Sequence, residues 1–318
     1  MVPVLSVDLA YRRWSDLGIV VLDRTLSSEC SGLTENAPGQ LLNPLPAPLL
    51  ARPDQCRPTE PSITCEIIPS FDSGYGCNSE SGFESGFEAG FEAGPINAEI
   101  LAGRLNHLCA MRDIRVMMLD GPKAWKSRHN GLEYARVSER QLNTAAKTGL
   151  PGMVKPRTYR AFAEFCLDLY DALCRRGWRR LETREQPSSP QGQNQERVLV
   201  ESYPYAAWKS LGINPLPSKR RAKVSDLAAA YGALRSLIPF SINRPPNHDQ
   251  LQAIVGGLPG LALEEGNSAE HNSAERNSAA ALIVGSPPRR EEGHWREGFI
   301  VLPLPPTRPI GLRWLNQE

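Results

Sequence analysis

VPVLSVDLAYRRWSDLGIVVL, Val2–Leu22, is the stretch from which the rest of the chain is read. Val2–Ala10 is an apolar, β-branched run with one acid, Asp8, near its end, and Leu17–Leu22 is a second run of the same kind. Only YRRWSD separates them, so the pair predicts two antiparallel strands joined as a hairpin. Downstream, Ile63–Ile68 predicts a third strand. Residues 97–113 predict a helix, with Ile100, Leu101, Leu105, Leu108 and Met111 at helical spacing. Ile114–Leu119 is almost wholly apolar, as expected of a central strand covered on both faces, and it runs into Asp120-Gly121-Pro122. Thr158–Arg176 predicts an amphipathic helix with Phe162, Phe165, Leu169 and Leu173 on one stripe and Gly177 past its end. Val198–Val200 begins another buried strand, ended by Glu201-Ser202-Tyr203-Pro204. Ser225–Ile238 predicts a helix capped by Ser225, Asn247 caps a further helix, and Phe299–Leu302 is a last strand. Strands alternating with helices make the chain an α/β protein.

Three acids share one placement: Asp8, Asp120 and Glu201 each end, or nearly end, an apolar strand. The C-terminal ends of strands are where α/β sheets bind ligands. Several carboxylates gathered there repel one another and lose hydration, so a positive charge must offset them. Mg²⁺ or Mn²⁺ does so, being hard cations that take carboxylate oxygens, and Asp249, early in a late helix, is placed to add a fourth ligand. Two such ions about 3.5–4 Å apart clamp the attacking and leaving oxygens of a phosphodiester displacement. On this expectation Asp8 bridges the ions, and Glu201 or Asp249 orients the water.

Composition bounds these expectations. The 318 residues, 41% hydrophobic and 22% charged, suffice for a large core, and one elaborated domain spanning 1–318 accounts for them. Gly (26) and Pro (28) together reach about 17% against roughly 12% on average, which points to long irregular segments. These are read as low-complexity, disordered insertions at 26–62 and at 70–95 (including SGFESGFEAGFEAG), a third at 264–280 and a Pro-rich tail at 303–318. No run approaches the ~18 apolar residues of a membrane span. Seven cysteines without CxxC or zinc spacing fit a reducing, cytoplasmic setting. The formal charge of +1 hides an imbalance: 2 basic against 11 acidic residues over 26–99, and 14 against 7 over 121–185. The basic block suits either phosphate binding or a solvated surface. Trp125, Trp178 and Trp208 are read as packing residues.

The chain resembles the ribonuclease-H-like nucleases grouped as domain of unknown function 429. The resemblance is carried by SVDLAYRRW (Ser6–Trp14), MLDGP (Met118–Pro122), YARVSERQL (Tyr134–Leu142), ESYPYAAWKSLG (Glu201–Gly212), NHDQLQA (Asn247–Ala253) and EGFIVLP (Glu297–Pro303). It implies a ribonuclease-H-like mixed sheet, its first three strands antiparallel and the next parallel, flanked by helices. It also implies a metal-dependent nuclease acting on RNA or DNA. In the related Holliday-junction resolvases the last acidic motif is Asp-x-x-Asp or His-x-x-Asp. Here Asp249 takes the first place and Gln252, which brings no charge, the second. Glu139 stands where the family commonly has Asp. Arg140 on the same helix is a candidate phosphate contact, as are Lys219, Arg220 and Lys223, which form a basic cluster with Arg221 near Tyr205 and Trp208. His248 is either a proton shuttle or part of the helix cap. The alternative from a different class is a scaffold of the same fold that binds nucleic acid or protein after losing its ions. A sugar-kinase-like reading lacks the second Gly-rich phosphate loop, and no Walker loop, GxGxxG, GxSxG or HExxH motif is present.

Overall fold

The computed structural model describes residues 2–25, 62–69, 95–183, 196–267 and 281–305. Of the four irregular segments expected from sequence, all but a few boundary residues lie outside these. Ser62 starts a strand, residues 264–267 prolong a helix and Pro303 ends a strand.

In chain order the elements are β1 (Val4–Asp8), β2 (Gly18–Thr25), β3 (Ser62–Ile67), α1 (Ala98–Met111), β4 (Val116–Asp120), α2 (Val137–Gln141), β5 (Lys147–Thr148) and β6 (Val154–Lys155). They continue as α3 (Arg160–Arg175), β7 (Arg179–Arg180), β8 (Val198–Ser202), α4 (Pro204–Ser210), α5 (Val224–Leu237), β9 (Phe240–Ile242), α6 (His248–Asn267), β10 (Ala281–Glu291) and β11 (His294–Pro303). The main sheet runs β10-β11-β8-β4-β1-β2-β3-β9, with β7 joined to β8. β2 runs antiparallel to both β1 and β3, whereas β4, β8 and β11 follow β1 in parallel. The fold is thus α/β with a mixed sheet between helical layers.

β4 is central, as its unbroken apolar run requires, and its two faces feed two cores. Val4, Met118 and Val200 point to the side covered by α6 and α4. Leu5, Val7, Met117, Leu119 and Leu199 point to the side covered by α1 and α3. Each of these fully buried aliphatic side chains contributes about 1.5–3 kcal/mol over exposure.

The helices start and stop for local reasons. Asn97 caps α1, its Oδ1 accepting from the Glu99 and Ile100 N–H groups. The stripe of α1 that is buried is Leu101, Ala102, Leu105 and Cys109; Met111, expected inside, is 71% exposed because the helix ends there and turns away from the sheet. The stripe of α3 packs as expected, with Gly177 at φ +88° just past its end. For α5 the cap is Lys223, not Ser225: Asp226 in the first turn accepts the Lys223 N–H at 2.8 Å. Asn247 caps α6 reciprocally with Gln250, each side chain accepting the other's backbone N–H at 2.9 Å.

α6 lies close on the sheet because glycines line its inner face. A Cβ at Gly257 would sit 2.6 Å from Ser6 and Leu22 atoms, and one at Gly260 would sit 2.6 Å from Val4. The hairpin β10–β11 exceeds the sequence expectation, which held only Phe299–Leu302. Pro287, Pro288 and the charged Arg289–Glu291 mask its outer strand, which sits at the sheet edge where Pro is tolerated.

Candidate functional site

Sheet register decides which expected acids meet. Asp8 pairs with Asp120 across β1 and β4, while Glu201 pairs with Leu119 and its successor Ser202 with Asp120. Side chains alternate along a strand, so Asp8 and Asp120 project toward α6 and Glu201 projects through the opposite face, toward α3.

Asp8 and Asp120 stand side by side on neighbouring parallel strands. Burial, reinforced by the Asp120 charge, lifts the Asp8 carboxyl well above the usual carboxylate range. Burial likewise pushes Asp120 up to about 7. Two desolvated carboxyls side by side resist both holding full charge without a cation. Asp249, in the first turn of α6, is the next negative charge acting on Asp8. Its approach depends on Gly18, which faces Asp8 across the hairpin: a Cβ on Gly18 would lie 2.2 Å from the Asp249 carbonyl oxygen. The start of α6 therefore rests directly on β2 backbone.

Asp249 is itself committed. Oδ2 accepts from the Lys219 ammonium, which also reaches Asp16 Oδ1 at 2.8 Å. Oδ1 accepts from His248 Nδ1 at 3.2 Å, and His248 Nε2 reaches the Pro217 carbonyl at 3.0 Å. The Asp249 hydrogen bond holds the imidazole pKa above its ordinary value. With both nitrogens protonated, His248 ties the Pro217–Lys219 segment to α6, beyond the capping role weighed from sequence. Gln252 is turned away, its Oε1 accepting from Trp208 Nε1 at 2.8 Å.

On the far face Glu201 is 3% exposed and neutralised. Arg136 donates to both of its oxygens (2.7 Å from Nη1 and 2.6 Å from Nη2), and the Lys123 N–H adds a third bond at 3.1 Å. The same guanidinium holds Glu139 at 3.1 Å, and Glu139 also takes the Thr148 hydroxyl at 2.6 Å. Glu297, in a left-handed conformation (φ +57°), fixes the loop entering this network by accepting from Ser127 N and Val137 N at 2.7 and 2.8 Å. Lys123 is fully buried, its ammonium without a hydrogen-bond partner and 5.9 Å from the centroid of the Phe299 ring, and burial pulls its pKa down to about 7.

Among the basic residues read as phosphate contacts, Lys219 is half-exposed and committed to Asp16 and Asp249. Arg220, Lys223 and Arg140 lie on exposed surface, the first two on the segment leading into α5. Tyr205 is 47% exposed beneath the Lys209 ammonium, while Trp125, Trp178 and Trp208 are buried, as expected of packing residues.

Sequence reasoning missed Arg136, Asp16 and Gly18. Arg136 lies inside YARVSERQL, but nothing in that string says which acid it meets. Asp16 lies in the short turn between β1 and β2, and its one signal is closeness in sequence to Asp8.

The residues present suit a hard cation in one respect. Asp8 and Asp120 offer adjacent oxygen donors, and Mg²⁺ is commonly held by one or two carboxylates with waters filling its other positions. Among the described residues no group of three or more His, Cys, Asp or Glu side chains is arranged to hold a metal ion. None of the described helices is long and apolar enough to cross a membrane. No family model, curated protein or solved structure matches this chain.

Proposed function

We propose that this protein is a metal-dependent nuclease of the ribonuclease-H-like type, hydrolysing phosphodiester bonds of RNA or DNA with Mg²⁺ or Mn²⁺ held by Asp8 and Asp120. The observation that carries this reading is the pairing of Asp8 with Asp120 at the ends of neighbouring parallel strands. A carboxyl near pH 7 in its titration exchanges its proton for a cation readily, and the pair lies at the sheet edge where α/β proteins bind ligands. When bound, the cation polarises a phosphoryl oxygen and lowers the pKa of its water. The chain's own groups do the rest. Asp249, oriented by His248 and Lys219, adds negative charge beside the pair, and exposed Arg220, Arg221 and Lys223 present cations to a phosphate backbone. Arg136 holds both Glu201 oxygens on the opposite face of the sheet, so Glu201 shapes the floor of the strand ends.

A second reading has specific support: a nucleic-acid- or protein-binding scaffold. Both Glu201 oxygens are held by Arg136 and the Gln252 oxygen by Trp208, so two of the positions expected to supply ligands are engaged elsewhere.

The deciding experiment incubates the full chain with labelled single-stranded, duplex, hybrid and branched nucleic acids in Mg²⁺ or Mn²⁺, beside Asp8→Asn and Asp120→Asn. Cleavage that both variants lose supports the nuclease. Cleavage that persists unchanged in them rejects this site, and binding without cleavage by any protein favours the scaffold.

A further inference from the structure

We infer that the strand-end site is built for one divalent cation, with the Lys219 ammonium standing as its second positive charge. This rests on the reading of Asp8 and Asp120 as metal ligands and names the charge complement of that site.

Two ions in one carboxylate site need oxygen donors for both. Asp8 and Asp120 supply one adjacent pair. Asp249, the next acid, has both oxygens occupied, one by Lys219 and one by His248. Glu201 lies through the sheet on Arg136, and Gln252 faces Trp208. A second ion would thus have to expel an ammonium already placed between two carboxylates, Asp16 and Asp249.

That ammonium is tethered at short range. Pro217, two residues before Lys219, is bound through its carbonyl to His248, the neighbour of Asp249, so the segment is held to α6 at Pro217 and again at Lys219 itself. Two acids of the site are therefore served by a cation the chain carries, and two are left for a cation from solution.

Calorimetric titration of Mn²⁺ into the full chain, checked by electron paramagnetic resonance of free Mn²⁺, counts the ions. Site occupancy is the number of equivalents lost in the Asp8→Asn/Asp120→Asn double variant. The expected result is one site equivalent for wild type, one for Lys219→Arg, which keeps the charge, and two for Lys219→Met. Lys219 is half-exposed, and circular dichroism melts verify that its variants fold. Two site equivalents in wild type, or one in Lys219→Met, overturn the role of Lys219 while leaving the metal site standing. No equivalents lost in the double variant overturn the Asp8–Asp120 site itself, and the inference with it.

Discussion

Arg136→Met tests the buried network on the far face of the sheet. Arg136 is 1% exposed and Glu201 3%. Methionine keeps much of the arginine's bulk but removes the donors at 2.6 and 2.7 Å, leaving Glu201 with the Lys123 N–H at 3.1 Å. It also strips Glu139 of its guanidinium, although Thr148 still donates to it. Removing one partner of a buried ion pair costs about 3–5 kcal/mol, because a charge remains desolvated and unpaired. At about 2–4 °C per kcal/mol this lowers the melting temperature by about 6–20 °C.

Urea denaturation measures the loss, beside the double variant Arg136→Met/Glu201→Gln, which leaves no orphaned Glu201 carboxylate and recovers at least half of it. A single-variant loss below about 1 kcal/mol, or a double variant no more stable than the single, refutes the reasoning.

Lys123→Met stabilises by about 1–3 kcal/mol at pH 6, where the wild-type ammonium is charged and has no hydrogen-bond partner. Because burial pulls the Lys123 pKa down to about 7, the unfolded chain holds this proton between there and its own higher pKa. The wild-type penalty therefore fades as pH rises through that range, and the gain measured by denaturant melts shrinks by pH 9.5. Gly257→Ala drives a methyl to 2.6 Å from Ser6 and Leu22 and costs about 1–3 kcal/mol, whereas Gly232→Ala, with nothing within 4 Å in α5, gains about 0.5–1 kcal/mol. The same melts compare the two. Gly18→Ala pushes the Asp249 backbone off β2. It weakens Mn²⁺ affinity in calorimetry by more than tenfold, while Gly257→Ala, two turns farther along α6, changes it less than threefold.

The strand ends were legible because their code is local. A run such as VMMLD has to be a covered strand, and the acid that follows it has to sit at the sheet edge. Asn247 and Gly177 were legible for the same reason, since caps and left-handed exits are written within a few residues. What misled was composition at the margins: Pro287-Pro288 concealed β10, and Met111 matched the period of α1 at the turn where the helix leaves the core. Lys219 read as a surface cation because its partners, Asp16 and Asp249, are far from it in the chain.

The sequence by itself determined that this chain is an α/β protein opening on an antiparallel hairpin and that three carboxylates lie at or near the ends of its strands, because hydrophobic period and strand-end polarity are properties of neighbouring residues. Only the tertiary structure decided that Asp8 and Asp120 face each other while Glu201 passes to the far side and into the grip of Arg136. Register sets that outcome. A shift of one residue between β4 and β8 carries a side chain from one face of the sheet to the other, and no local pattern records the shift.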